Sequence, residues 1–356
     1  MKRKIILLIC FCSCILLTIR ATGQDSFARK VAGNILHRTS YFLYEGNKGL
    51  HYAEVFAAVA SLKTADILKD KALQDSILTR YRELTQQNSK LISERSHVDH
   101  NVQGVLPLAI WQLTGKDEYR KLGLKYADSQ YAEVDSQGIT KQARWWADDM
   151  YMIGILQLTA FRVTKDQKYL DRASRMIAAY LPKLQQPNGL FLHGPNAPFY
   201  WCRGNGWVAA ILGELLTDLP STDPNYKLIL SGYMNMMDAL VKYQSDNGMW
   251  RQLIDYPYSW AESSGTAMFA FSMTRGVDLG ILKGKKYKIA ADKALAAIKA
   301  HVNPAGEIRE VCVGTNKMPD REFYLERPRV IGDFHGQAPL LWLLDEKMNH
   351  PSKTRP

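Results

Sequence analysis

The sequence predicts an all-α chain closed into a ring of helical hairpins, an (α/α)6 barrel, and three observations carry that prediction. A short polar turn ending in a tyrosine recurs, the helices around it are of two alternating kinds, and the connections are alternately short and long. The turns are Thr114–Tyr119, Thr164–Tyr169, Asp223–Tyr226 and Lys283–Tyr287, with a fainter copy at Thr64–Lys71. Their tyrosines stand 50, 57 and 61 residues apart.

Each element follows from its pattern. Phe27–Tyr44, Ile67–Leu84, Glu118–Tyr131, Gln167–Leu184, Tyr226–Tyr243 and Lys286–Val302 each carry one apolar stripe, as helices on the outside of a core do. His51–Ser61, Val102–Leu113, Met150–Val163, Trp207–Leu216, Thr266–Met273 and Gln337–Leu344 are apolar or small on nearly every side, so they belong inside. An open solenoid would leave that inner set facing water, which favours closure. Inner-to-outer turns are short, as at Thr114–Asp117, whereas 85–101, 132–148, 185–205, 244–264 and 303–336 are long. Long connections in a compact domain are usually functional, and all of these fall where the inner helices begin.

The 356 residues are 46% hydrophobic and 23% charged, which excludes extended disorder, collagen and coiled coil. Lys2, Arg3 and Lys4 precede the apolar run Ile5–Ile19, and small residues follow up to Gly23. Residues 1–23 therefore read as a secretory leader, too short for a membrane span. The expectation is an exported, periplasmic protein without stable membrane insertion, with one domain over 24–350 and a tail at 351–356. Loss of Lys2, Arg3, Lys4 and Arg20 lowers the formal charge from +11 to +7. That excess suits an anionic sugar; no dense Lys/Arg run or binding motif supports nucleic acid. Cys202 and Cys312 remain, and the sequence leaves open whether they pair. Gly204–Gly206 lacks the rest of a dinucleotide-binding pattern, and neither zinc-ligand spacing nor a Gly-x-Ser-x-Gly elbow occurs. No cofactor and no metal are expected.

Unusual chemistry gathers just before the inner helices. In chain order it comprises His97, Asp99 and His100, then Trp145, Trp146, Asp148 and Asp149, then His193, Trp201, Arg203, Asn205 and Trp207. Trp250, Arg251, Trp260, Glu262, Ser263 and Ser264 follow, and finally Tyr324, Arg327, Arg329, Asp333 and His335. Aromatic walls stack on sugar C–H faces, guanidinium groups grip carboxylates, and helix N-termini favour anions. Each signal also has a plainer reading. The aspartates suit helix N-caps, Trp145 and Trp146 suit a packed barrel mouth, and His193 suits a loop bonded to backbone. Arg203 and Asn205 would shape a Gly-rich turn, and Asp333 and His335 would pair to hold the last loop. Two carboxylates at such a mouth point to a glycan hydrolase.

Trp146-Ala-Asp148-Asp149-Met-Tyr-Met152, His193-Gly194, Trp201-Cys-Arg203-Gly-Asn-Gly-Trp207 and Glu262-Ser-Ser-Gly-Thr-Ala-Met268 make the chain recognisable. Over roughly Leu50–Leu344 it resembles the unsaturated uronyl hydrolases of glycoside hydrolase families 88 and 105, more closely the unsaturated rhamnogalacturonyl hydrolases of 105. The resemblance implies an (α/α)6 barrel acting on lyase-generated oligosaccharides whose terminal uronate carries a C4=C5 double bond. An aspartic acid protonates C4 while water adds at C5, and the resulting hemiketal opens to release the next sugar. By position that acid is Asp148, with Asp99 as the second carboxylate. Such an acid should have a raised pKa, from burial and a neighbouring carboxylate. Asp149, about 100° further round the helix, should face elsewhere and is the weaker candidate. The resemblance further implies His193 and Arg203 on the substrate carboxylate and ring oxygens, and Trp146, Trp201 and Trp207 as walls, with Asn205 beside them. The 303–335 segment departs from the family's usual ending and points to a different leaving-sugar subsite. An ordinary glycosidase on a saturated acidic glycan and a non-catalytic sugar-binding protein are the alternatives.

Overall fold

The computed structural model describes residues 23–43 and 48–349; the 351–356 tail and all but the last residue of the 1–23 leader lie outside them. Its helices are α1 (23–33), α2 (Tyr52–Ile67), α3 (Lys71–Arg80), α4 (Val98–Asn101), α5 (Val105–Thr114), α6 (Asp117–Ser129) and α7 (Ala147–Thr164). They continue as α8 (Gln167–Leu184), α9 (Cys202–Asp218), α10 (Tyr226–Tyr243), α11 (Ser263–Asp278), α12 (Lys285–Ala300), α13 (Arg321–Leu325) and α14 (Phe334–Asn349).

Six inner members form the ring: α2, the broken helix α4–α5, α7, α9, α11 and α14. Each packs on the next, and α14 packs on both α11 and α2, closing the circle. The barrel expected from the repeat is the observed fold. On its axis Phe56, Tyr151, Trp207, Phe271 and Trp342, from five of these helices, meet with ring centroids 4.9–6.0 Å apart. These rings fill the space that a ring of helices would otherwise leave empty, each burial favouring folding by about 1.5–3 kcal/mol.

Two outer helices are shorter than their patterns suggest. The first stops at residue 33 and continues as a 3-10 turn, Asn34–His37. The second begins only at Lys71, because α2 runs on to Ile67 and Asp70 then caps α3 through Leu73 N (3.1 Å). The recurring tyrosines fasten neighbouring outer helices. The Tyr169 hydroxyl donates to Asp128 (3.2 Å) and the Tyr287 hydroxyl to Asp238 (2.6 Å).

The long connections share a device that the helix patterns do not show. Four of them open with a tight turn whose glycine has positive φ: Gly138, Gly189, Gly248 and Gly306. At Gly189 and Gly248 a β-carbon would also lie 2.5 Å from Asn235 O and 2.7 Å from Lys293 O on the following outer helix. Four residues after the last three glycines, the carbonyls of His193, Gln252 and Glu310 accept the first amides of α7, α9 and α11 (Ala147, Cys202 and Ser263), each at 2.9 Å. Each loop thus satisfies an otherwise unpaired N–H at the start of the preceding inner helix. Two short antiparallel ladders complete the mouth: β1 (Trp250–Arg251) with β2 (Ala261–Glu262), and β3 (Val311–Cys312) with β4 (Arg329–Val330). Cys202 and Cys312 are buried and free. Among the described residues no helix is long and apolar enough to cross a membrane.

Candidate active site

The start of α7 organises the mouth. Trp146 is its N-cap and Asp149 its third residue, and the Asp149 carboxylate reaches back to the amides of Trp146 (3.1 Å) and Arg144 (2.7 Å). This is the carboxylate half of a capping box. Arg144 Nε (2.8 Å) and the Tyr180 hydroxyl (2.9 Å) also donate to it, so both oxygens are committed and the residue is wholly buried. Burial pushes the Asp149 carboxyl above its ordinary value, against the pull of Arg144 and its hydrogen bonds. It presents no oxygen to the mouth.

Asp148, one residue earlier, is turned away from that cluster. Its Oδ2 lies 3.2 Å from His193 Nε2, and neither atom has another partner among the described residues. The bond from Ala147 N to His193 O sets this pairing, because it docks the His193 backbone on the first turn of α7. The other imidazole nitrogen, Nδ1, lies 2.6 Å from the Tyr324 hydroxyl, which accepts from Met318 N (3.2 Å). Burial pushes the Tyr324 phenol up to about 12, so it keeps its proton. The tautomer that accepts this proton at Nδ1 carries its own hydrogen on Nε2, facing Asp148. Burial alone would raise Asp148. The hydrogen bond and attraction of His193, with Arg144 and Arg203, outweigh it and hold the carboxyl below its ordinary value. The raised pKa expected from sequence is thereby corrected for the unliganded protein.

Asp99 is gripped by the Arg144 fork at 2.8 and 3.1 Å. It is therefore an ion-pair partner of Arg144, where the sequence reading offered it as the like charge raising Asp148. Arg144 also lies 4.4 Å above the Trp146 ring, so one side chain orients Asp99, Asp149 and that indole together. Trp146 is half-buried at the mouth.

The remaining candidates sit deeper than their positions at a helix start suggest. Arg203 is 1% exposed and donates to the carbonyls of Cys312 (2.5 Å) and Val313 (2.8 Å), pinning the last loop instead of reaching for substrate. Asn205 accepts from Phe191 N (2.8 Å) and donates to Phe191 O (2.8 Å) and Trp201 O (3.1 Å), which is turn-shaping work. Trp201 is buried between His193 and Arg203, its ring centroid 4.7 Å from the imidazole and 4.5 Å from the guanidinium carbon. Trp207 belongs to the axial aromatic cluster and has no exposed surface. His193 has no exposed surface and engages Asp148 and Tyr324, so the structure does not free it for the substrate carboxylate. Asp333 and His335 do pair (2.7 Å), and His335 Nε2 lies 3.0 Å from the Tyr52 hydroxyl. Among the described residues no three His, Cys, Asp or Glu side chains converge as a metal site.

With this geometry established, the sequence profile of Glycosyl Hydrolase Family 88 matches residues 27–349. The chain belongs to that family. This family 88 hydrolase is 28% identical over 260 residues to the unsaturated rhamnogalacturonyl hydrolase YesR of Bacillus subtilis, covering 67% of this chain and 73% of the relative. It is 29% identical over 195 residues to an unsaturated 3S-rhamnoglycuronyl hydrolase of Alteromonas, covering 51% of this chain and 47% of the relative. A solved structure described as a possible member of the GH105 family, from Salmonella enterica, superposes with a TM-score of 0.80 at 20% identity, covering 92% and 94% of the two chains. The unsaturated glucuronyl hydrolase of Bacillus sp. GL1 superposes at 0.64 with 16% identity, over 89% and 95%. At those identities the structural likeness speaks to the fold alone. Arg144 and the Tyr324 contact to His193 were not picked out from the family 88 sequence. The Arg144 signal was an arginine two residues before a Trp-x-Asp-Asp run, with a second carboxylate one loop away.

Proposed function

We propose that this hydrolase removes a 4,5-unsaturated uronic acid from the non-reducing end of lyase-generated oligosaccharides, by hydrating the C4=C5 bond, with uronyl–rhamnose linkages as its substrate class. The observation carrying this reading is the Asp148–His193 pair at the barrel mouth, an acid and a hydrogen-bond donor whose facing atoms have no other partners. The named activity of the Bacillus relative supports the sugar assignment.

Asp148 supplies a proton to C4, and the carboxylate so formed accepts one from the water that adds at C5. The hemiketal then opens to a ketone and the glycosidic link breaks, so one water is consumed and no electrons leave the system. In the resting protein Asp148 is ionised near neutral pH. An arriving uronate places a second negative charge nearby and excludes water, and both effects favour the protonated acid that the first step needs.

The test is Asp148→Asn against lyase digests, followed by the ultraviolet absorbance of the double bond. Wild type is expected to bleach it and the variant to lose essentially all turnover while keeping its helical circular dichroism. Near-normal turnover by the variant would remove Asp148 from the chemistry. Release of reducing sugar from undigested polysaccharide without bleaching would favour an ordinary glycosidase. Residues 1–23, read as a secretory leader, support an exported, periplasmic enzyme, which fractionation of the native host checks.

A further inference from the structure

The substrate proposed above is an anion, and the two arginines whose charges act on Asp148 already hold protein groups. Arg203 donates to the backbone of the last loop while its Nε stays buried without a partner, and Arg144 holds Asp99 and Asp149. The 303–335 connection brings a third. Lys317 is half-buried, and its ammonium lies 5.8 Å from the centre of the Trp146 ring, the indole two residues before Asp148. Its aliphatic stem runs across Gly194, immediately after His193. A β-carbon at Gly194 would stand 2.5 Å from Lys317 Cδ and 3.4 Å from Nζ. No carboxylate among the described residues pairs with this ammonium. The aliphatic stem covers apolar surface while the ammonium stays accessible, as lysines commonly do, so the charged head is open to an anion. The side chain lies between Trp146 and Gly194, and the missing side chain at Gly194 makes the room.

We infer that Lys317 is the specificity-determining cation of this enzyme, binding an anionic oxygen group of the sugar substrate beside Asp148. Two groups share that chemistry: the uronate's own carboxylate, and a sulfate on the sugar that follows it. The inference rests on the function proposed above, but it makes a binding claim that stands apart from turnover.

The experiment compares wild type, Lys317→Met, Lys317→Arg and Gly194→Ala. The substrates are a lyase-generated unsaturated disaccharide, its uronyl methyl ester, and the same disaccharide sulfated on the second sugar. Calorimetric binding of galacturonate and of galactose 6-sulfate is measured alongside. Lys317→Met is expected to lower kcat/KM by about tenfold to a hundredfold, through KM, on the substrate that carries the bound group, as loss of one charge-assisted contact does. Lys317→Arg should recover part of that loss. Gly194→Ala, whose φ is not left-handed, should reproduce it with every charge retained, because the new methyl pushes the lysine stem aside. If the carboxylate is the group bound, the methyl ester is a poor substrate for wild type and shows no further loss in Lys317→Met. If the sulfate is the group bound, only the sulfated substrate loses rate. Unchanged KM on all three substrates, or an equal loss that includes the unsulfated methyl ester, overturns the inference. Should wild type bleach no digest, the hydrolase reading fails; binding of galacturonate or of galactose 6-sulfate weakened by Lys317→Met would still uphold the lysine's role, and indifference of both would end it.

Discussion

Asp345 should make the stability of this barrel depend on pH in a direction opposite to most carboxylates. It lies on α14, facing α2, where its Oδ1 accepts from the Thr64 hydroxyl at 2.7 Å and its Oδ2 is buried without a partner. Burial drives its carboxyl from an ordinary 3.8 up to about 7; Lys63 and the Thr64 hydrogen bond pull it down, and nearby Glu346 pushes it further up. At 1.36 kcal/mol per pH unit this gap is worth on the order of 4 kcal/mol. The sign follows from which state holds the proton. Below pH 4 both folded and unfolded chains are protonated here, and the stability is whole. Between about 4 and 7 the unfolded chain ionises first, so the folded state loses ground, and above 7 the loss is constant. Asp345→Asn keeps an acceptor for Thr64 and cannot ionise. Its buried amide hydrogens have their own cost of about 1–3 kcal/mol, so the slope against pH is the readout and not the absolute stability. Urea unfolding at pH 5, 6, 7 and 8 should show wild type losing stability relative to the variant across the range, most of it by pH 7. Parallel curves for the two proteins would refute the reasoning.

Two further outcomes follow from the mouth. His193→Ala removes the donor that helps hold Asp148 low, so the pKa of the free enzyme rises. The alkaline descent of kcat/KM, where Asp148 loses its proton, should therefore move to higher pH even as the maximum falls; a descent at unchanged pH would count against the pair. Arg144→Ala strips the buried Asp149 of its counter-charge and releases Asp99, and should destabilise the protein by about 3–5 kcal/mol. Denaturant midpoints with and without Asp149→Asn check this, since the double variant should recover part of the loss.

The barrel was legible because its grammar is local. A tyrosine after a polar turn and a helix greasy on all sides are both visible within a dozen residues, and alternation of the two kinds already implies a ring. The loop-to-helix stitch was also written locally, as the glycines at 189, 248 and 306, but it lay in segments without helical period and went unread. The mouth was legible in position and less so in direction. Asp148 lies one residue inside α7 and stays near the rim. Trp207 lies five residues inside α9, about 7 Å down the axis at 1.5 Å per residue, which carries it from the mouth into the aromatic centre. Arg203 and Asn205 occupy the first turn of the same helix, yet Arg203 reaches Cys312 and Val313 and Asn205 reaches Phe191, backbone groups on other loops that no local pattern announces. Arg144 and Lys317 depend on residues 45 and more than 120 positions away, and such pairings exist only once the circle is closed.

That closure sets how the chain must be made. Because α14 is the stave that completes the cask, a nascent polypeptide halted before residue 334 would expose the flanks of both α2 and α11 to water. Maturation therefore waits for the final hairpin to emerge, and a cell producing this protein has to shelter a nearly finished, gap-sided intermediate until its last sixteen helical residues arrive.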